Sequence, residues 1–202
     1  MSKIKLTKSE LKKQRDSLKQ FRHYLPTLLL KKQQLQMKIL EIRRELDAKL
    51  DAITQKEQAI LKWVGLLAEQ GQTVDLKPWV VPTKVVTGQL NIAGATIPIL
   101  KEIVFAEVDY DFYTTPFWVD KAVEELRAYM KLFVEVRVLT EQINQLAREL
   151  RITTQRVNLF EKIKIPEALE NIRRIRIYLG DQQANAVGIS KVAKKKLEII
   201  LA

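Results

Sequence analysis

From Leu11 to Leu67 the apolar residues fall on heptads, and few folds can use so long a repeat. Ile39, Leu46, Ile53, Ile60 and Leu67 are each seven apart. Leu28, Leu35 and Ile42 make a second row offset by three or four, and Leu11, Leu18 and Leu25 an earlier one. Positions three, four and seven apart share one face of an α-helix, so the rows form a narrow apolar seam with Lys, Gln, Glu and Asp between them. Ser9 ahead of Glu10, or Thr7 with Glu10 three residues on, can cap the start, and Gly71 marks the end.

A second run opens at TTPFWVDKAVEEL, where Thr115 is the expected cap and Pro116 the first helical residue. Leu132, Val136, Leu139, Ile143, Leu146, Leu150, Thr153, Val157 and Phe160 then alternate by four and three. The pattern resumes beyond Pro166 at Leu169, Ile172, Ile175 and Leu179, and Gly180 is the expected stop. Thr153 and Gln145 are polar in or beside this seam, where such groups either fix register or are simply tolerated. Each run has roughly 60 residues, about 90 Å at about 1.5 Å per residue. A helix that long with a narrow stripe needs a partner along most of its length, and each run is the other's obvious partner.

Between them, PWVVPTKVVTGQLNIAGATIPILKEIVFAEVDYDFYTT is rich in β-branched and aromatic residues, with Gly88, Gly94 and Pro98 as punctuation. It predicts one or two short strand pairs between Lys84 and Asp111, turning at Ala93-Gly94. The expected fold is therefore mainly α. It is a long antiparallel two-helix coiled coil built from the N- and C-terminal segments, with a short β-hairpin region in the middle. The expected boundaries are 1–71 for the first helix, 72–114 for the connection, 115–180 for the second helix and 181–202 for a basic tail. The chain has only 6 Gly and 6 Pro, most of them between Gly65 and Pro116, which suits long uninterrupted elements. Pro26 and Pro166 lie inside the helical runs, and each predicts a kink, or for Pro26 a break near Leu25.

Composition excludes several chemistries. With no Cys, thiol nucleophiles, disulfides and zinc-cysteine sites are ruled out, and a reducing compartment is expected. No apolar run approaches the roughly 18–20 residues of a membrane-spanning helix, and the charged N-terminus carries no secretory pattern. His23 is the single histidine, in QFRHYLP, with no nucleophile motif to serve. GDQQANAVGISK lacks the Gly-Lys-Ser/Thr order of a phosphate loop. Glu107, Asp109 and Asp111 would share one face of a strand; a divalent-ion site is the sharper reading and a solvated or partner-facing edge the commoner one. No catalytic, cofactor or metal residue is expected.

Charge is segregated. Residues 1–44 hold 13 Lys/Arg against 3 Asp/Glu, residues 45–147 hold 10 against 15, and residues 148–202 hold 12 against 6. In an antiparallel hairpin the two basic ends meet, uniting Lys3, Lys5, Lys8, Lys12, Lys13, Arg15 and Lys19 with Lys191, Lys194, Lys195 and Lys196. Charge alone suits three roles equally: a tip bound to nucleic-acid phosphates, a plug in an acidic protein socket, and a solvated tail. Base-stacking aromatics are nearly absent from it.

Four segments carry a family resemblance: LTKSELKKQRDSL, NIAGATIP, TPFWVDKAVEEL and TTQRVNLFEKIKIPEALENIRRI. They resemble the D subunit of the V-type (vacuolar and archaeal-type) ATPases, the central rotor shaft, and the likeness spans residues 6 to about 179. Pro26 departs from the family's usually smooth first helix, and the tail is only loosely similar. The resemblance implies a non-catalytic, cytoplasmic component, peripheral to the membrane. Its basic tip would insert into a ring of catalytic and regulatory subunits A and B. Its acidic middle would face the small companion F subunit and a socket subunit of the C/d type above the membrane rotor. No cofactor is implied. The alternative, from another class, is a basic coiled-coil arm that binds nucleic acid, which would have no need of the last two motifs.

Overall fold

The computed structural model describes residues 4–68, 75–108 and 115–200; within these, the side chains of 66–68, 198 and 200 are left aside. Helix α1 runs Lys8–Ala68 and a short α2 Lys77–Val80. Strands β1 (Pro82–Ile92) and β2 (Ala95–Phe105) follow. Helix α3 (Trp118–Leu159), a π-helical turn (Phe160–Lys164) and α4 (Ile165–Ile200) complete the chain. Two long helical segments thus flank a two-stranded antiparallel sheet.

The chain divides into two compact units. One comprises residues 1–32 and 152–202, the other residues 33–151.

In the unit of residues 33–151, the seam side chains Leu35, Ile39 and Ile42 of α1 and Leu139 and Leu146 of α3 form one apolar cluster. The hairpin joins them: Ala95 and Ile97 are buried in the same cluster, with Ile92 and Ala93 packed on it. Strand pairing is in register from Ile92 opposite Ala95 to Thr87 opposite Leu100, with irregularities at Val86/Thr87 and near Pro82. The turn is the expected Ala93-Gly94, both at positive φ (51° and 78°), as a two-residue hairpin loop requires. Asn91 supports it by accepting the Gly94 N–H on Oδ1 at 2.9 Å. A left-handed Ala is unusual; its contact with the core offsets that local cost. Further along, Ile53, Val119, Ala122 and Val123 are buried, while Leu46, Ile60, Leu132, Val136, Ile143 and Leu150 are half-buried. The side chain of Leu67, and Gly71, lie outside the described residues.

In the other unit, Thr7 caps α1. Its Oγ1 accepts the Glu10 N–H at 3.3 Å and its carbonyl the Leu11 N–H, the N-terminal half of a capping box. Phe21 stacks on Phe160 with ring centroids 5.4 Å apart, and Asn171 Nδ2 lies 3.5 Å from Gln14 Oε1, so the helices are antiparallel here. Val157 and Thr153 are buried on the seam.

Four expectations need correction. Pro26 does not break α1, which runs through it. α3 begins at Trp118 rather than Pro116, because Val119 N–H closes a tighter three-residue turn onto the Pro116 carbonyl. Gly180 does not end α4; neither it nor Gly188 has the positive φ of a stop, and an interior glycine costs only about 1 kcal/mol. Beyond Pro166 the buried residues are Ala168, Asn171, Ile172 and Ile175, whereas Leu169 is exposed.

The last correction has a geometric cause. Continuing the four-three alternation from Phe160 would put Glu167, Asn171, Arg174 and Tyr178 on the seam. In the π-turn the Ile165 N–H bonds the Phe160 carbonyl, five residues back, so one residue is inserted into the winding. The seam shifts by one position, onto Ala168, Ile172, Ile175 and Leu179. The wide turn also ends directly before Pro166, which has no N–H to contribute to an ordinary turn.

Candidate partner-binding surfaces

The described residues offer no cluster of three or more His, Cys, Asp or Glu able to hold a metal, and no helix among them is long and apolar enough to cross a membrane. His23 is exposed beside the Tyr24 ring, and residues 180–191 are an exposed stretch of α4. What the chain presents is charged and apolar surface.

The unit of residues 1–32 and 152–202 contains 20 Lys/Arg against 7 Asp/Glu, a net +13; the unit of residues 33–151 contains 15 against 17, a net −2. The charge division therefore follows the structural one. Lys5, Lys8, Lys12, Lys13, Arg15 and Lys19 are all exposed, while Lys3 lies outside the described residues. Lys191, Lys194, Lys195 and Lys196 are exposed too, but not alongside the first group. Antiparallel continuation from the Gln14–Asn171 contact sets Lys8 level with Ile177, so the later lysines lie further along α4. Every described side chain from Gly180 to Leu197 is exposed, including Val187, Ile189, Val192 and Leu197. The two basic groups share a unit but lie in series, and the second alternates with apolar side chains that no described residue covers.

A cavity of about 450 Å³ sits between the start of α1 and α4, lined by Lys5, Glu10, Lys13, Phe21, Lys164 and Glu167 among others. Its charges are mixed, and Lys164 is paired with Glu167 at 3.2 Å.

In the other unit the acidic segment falls partly outside the described residues: Asp109 and Asp111 are not described. Glu107 is exposed, but β2 ends at Phe105, so Glu107 is not on a strand. The ladder stops where Arg127 intervenes. Its guanidinium donates to the carbonyls of Ala106 (2.6 Å) and Trp79 (2.8 Å) and lies over the Phe105 ring at 5.3 Å. One side chain of α3 thus ties α2 and the end of β2 to the helix. Gln142, buried, donates from Nε2 to the Pro98 carbonyl at 2.6 Å and anchors the middle of β2. Gln145, the expected register residue, bonds only its own helix, at Glu141. Nothing in the spacing singles out Arg127 or Gln142; each acts on backbone carbonyls far away in sequence.

Charged pairs link α1 to α3: Lys49–Glu135 at 2.7 Å and Lys56–Glu125 at 2.6 Å. The bond from Lys56, then that from Lys121, holds the Glu125 carboxyl below its ordinary range. Glu124, then Glu125, raises the Lys121 ammonium. Tyr129 donates to Glu57 at 2.7 Å, and that bond, with partial burial, raises its phenol. These are structural pairs in screened surroundings, with no reacting group beside them.

Fold and surfaces define a class: a mainly helical protein with two long helical segments around a small hairpin, with exposed charged and apolar faces. The sequence profile of the ATP synthase D-subunit family matches residues 10–195. The chain is 48% identical over 197 residues to the V-type ATP synthase D subunit of Borreliella burgdorferi, covering 98% of this chain and 96% of that one. It is 35% identical to the protein of the same name from Chlamydia felis, at 98% and 95% coverage. The chain belongs to the ATP synthase D-subunit family.

Proposed function

We propose that the chain is the central rotor shaft of a V-type ATPase/ATP synthase. It would carry torque between a ring of catalytic and regulatory subunits A and B and the membrane ion-translocating rotor. The observation that supports this reading is the coincidence of charge with structure: the net +13 and the net −2 fall to different compact units. A shaft must be gripped by a ring without being locked to it. Exposed lysines and arginines, interspersed with apolar side chains, offer the ring several electrostatic positions of similar energy. Under this reading Lys3, Lys5, Lys8, Lys12, Lys13, Arg15 and Lys19 lie within the ring, with Lys191, Lys194, Lys195 and Lys196 further along α4. Under the same reading α1 is one helical arm and α3 with α4 the other, the stretch beyond Gly180 extending the second.

The acidic segment with Glu107, Asp109 and Asp111 faces the companion F subunit or the C/d-type socket. The chain itself supplies no nucleotide chemistry; binding and hydrolysis belong to the ring. It sits on the cytoplasmic face, held to the membrane only through the complex.

Native mass spectrometry of the chain co-expressed with its ring subunits tests the assignment, with one copy per six-membered ring expected. A ring that assembles without ever taking up the chain overturns it, and steeply salt-dependent binding to structured RNA would then be measured instead. Reversing Lys12, Lys13, Lys19 and Lys194 to Glu should lower the coupling of hydrolysis to rotation; unchanged coupling removes the basic tip from the mechanism.

A further inference from the structure

A two-stranded sheet has two outer edges, and this hairpin guards only one. Gln89 faces Pro98 across the ladder. Pro98 has no N–H, and its carbonyl is taken by Gln142, so the Gln89–Pro98 pair is one whose backbone groups point outward. Register then turns Thr96, Pro98 and Leu100 outward on β2, and Thr87, Gln89 and Asn91 outward on β1. The β2 edge is closed by a proline and by the Gln142 side chain of α3, both devices that prevent strand addition.

Between Thr87 and Asn91 the β1 edge has neither; its proline, Pro82, and its irregularity at Val86/Thr87 lie nearer the start of the strand. Thr87, Gln89 and Asn91 are exposed. Among the described residues no hydrogen bond to their outward N–H or carbonyl groups is found. No proline or charged residue falls between Thr87 and Asn91. Left open in water, such an edge invites pairing with any extended chain.

We propose that β1 accepts an extended segment of a neighbouring protein of the complex, which adds a third strand along Thr87–Asn91. This rests on the reading above only for the identity of the partner. The edge specifies the segment's chemistry. Its backbone meets three outward N–H and three outward carbonyl groups. Its side chains alternate. One set lies beside the uncharged polar face of Thr87, Gln89 and Asn91. The other is apolar and covers Leu90, which is 43% exposed and lines the groove between the hairpin, α1 and α3. Lys84, exposed near the start of the strand, calls for an acidic residue at that end.

Site-resolved hydrogen exchange on the chain, free and in the assembled complex, is the test. The amides of Thr87, Gln89 and Asn91 exchange freely in the isolated chain and slow at least roughly tenfold on assembly. Gln89→Pro removes an outward N–H without touching the ladder to β2 and weakens assembly by about tenfold, while Gln89→Ala, which keeps it, does not. If the chain joins the complex and those amides stay fast, strand addition is wrong while the rotor assignment stands. If they are protected in the free chain and lose protection on dilution, a second copy occupies the edge, which overturns a different protein as occupant. If the chain joins no complex, the rotor assignment fails and this proposal with it.

Discussion

The two units are made from the same kind of seam and stabilised differently. In residues 33–151 the seam has a third layer. The hairpin lays Ala95 and Ile97 into the groove between α1 and α3, and Leu35, Ile42 and Leu146 become almost wholly buried. In residues 1–32 with 152–202 no sheet covers the helices, and Leu11, Leu18, Leu25 and Leu28 stay half-buried. On the α1 side this two-helix seam leaves those leucines partly in water, although on the other arm Val157, Ala168, Ile172 and Ile175 are buried. The covered unit is therefore the one expected to persist alone, and the bare unit the one that exchanges and rearranges first.

The sharpest way to break that contrast is to truncate one leucine in each unit. Leu35→Ala should cost about 2–5 kcal/mol, because the side chain is enclosed by α1, α3 and the hairpin and the site cannot collapse. Leu18→Ala should cost roughly 1–2 kcal/mol, since less surface returns to water and solvent reaches the gap. Chemical denaturation followed by site-resolved hydrogen exchange separates the two. Equal losses would mean that the hairpin adds nothing to the seam.

The next test concerns the π-turn. Deleting Lys162 should straighten the winding and keep the seam in phase, with Ile165 taking the place of Lys164. It should also leave Pro166 inside an ordinary helix, at a cost of about 3 kcal/mol. Adding Pro166→Ala to the deletion should recover most of that loss. If the double variant is no better than the deletion alone, the proline is not what the wide turn accommodates.

The π-turn also marks the limit of what is legible in the sequence. Both long helices, the central hairpin and its Ala93-Gly94 turn follow from heptad spacing and turn chemistry, which are local. Beyond Pro166 the spacing misleads, because Leu169 continues a plausible apolar row while small Ala168 is the residue that fits the buried site. The run 160, 164, 168, 172 holds the clue: four-residue steps without a three signal an inserted residue. Gly180 is no stop because a glycine ends a helix only where the chain then turns left-handed. Of the surfaces, the exposed lysines are readable from composition. Their arrangement in series is not, because it depends on how far α4 outruns α1.

A smaller effect should come from Arg127. Arg127→Met keeps the apolar stem but removes both hydrogen bonds to the Trp79 and Ala106 carbonyls and the contact over Phe105. Charged hydrogen bonds contribute about 1.5–3 kcal/mol each when partly buried, and water can replace them here in part, so a loss of about 2 kcal/mol is expected. The distinguishing readout is location: exchange should quicken at α2 and the end of β2, with the amides near Ala93-Gly94 unchanged. Faster exchange throughout the hairpin would mean that Gln142 and the core face do not hold the turn independently.

The smallest effect is electrostatic and belongs only to the unit of residues 33–151. Lys56 and Lys121 lower the Glu125 carboxyl in the folded chain. A lowered carboxylate contributes stability that is complete above its unfolded value, near 4.5, and is lost as pH falls through the folded one. Tyr129 runs the other way. Its raised phenol contributes below the ordinary value of 10.0 and is lost as pH rises through the folded value. Glu125→Gln should therefore flatten the acid side of the stability profile and leave the alkaline side alone, while Tyr129→Phe does the reverse. Because the Lys56–Glu125 pair is only partly buried, added salt should shrink the Glu125 effect. An acid limb of equal steepness in wild type and Glu125→Gln would assign it to other carboxylates.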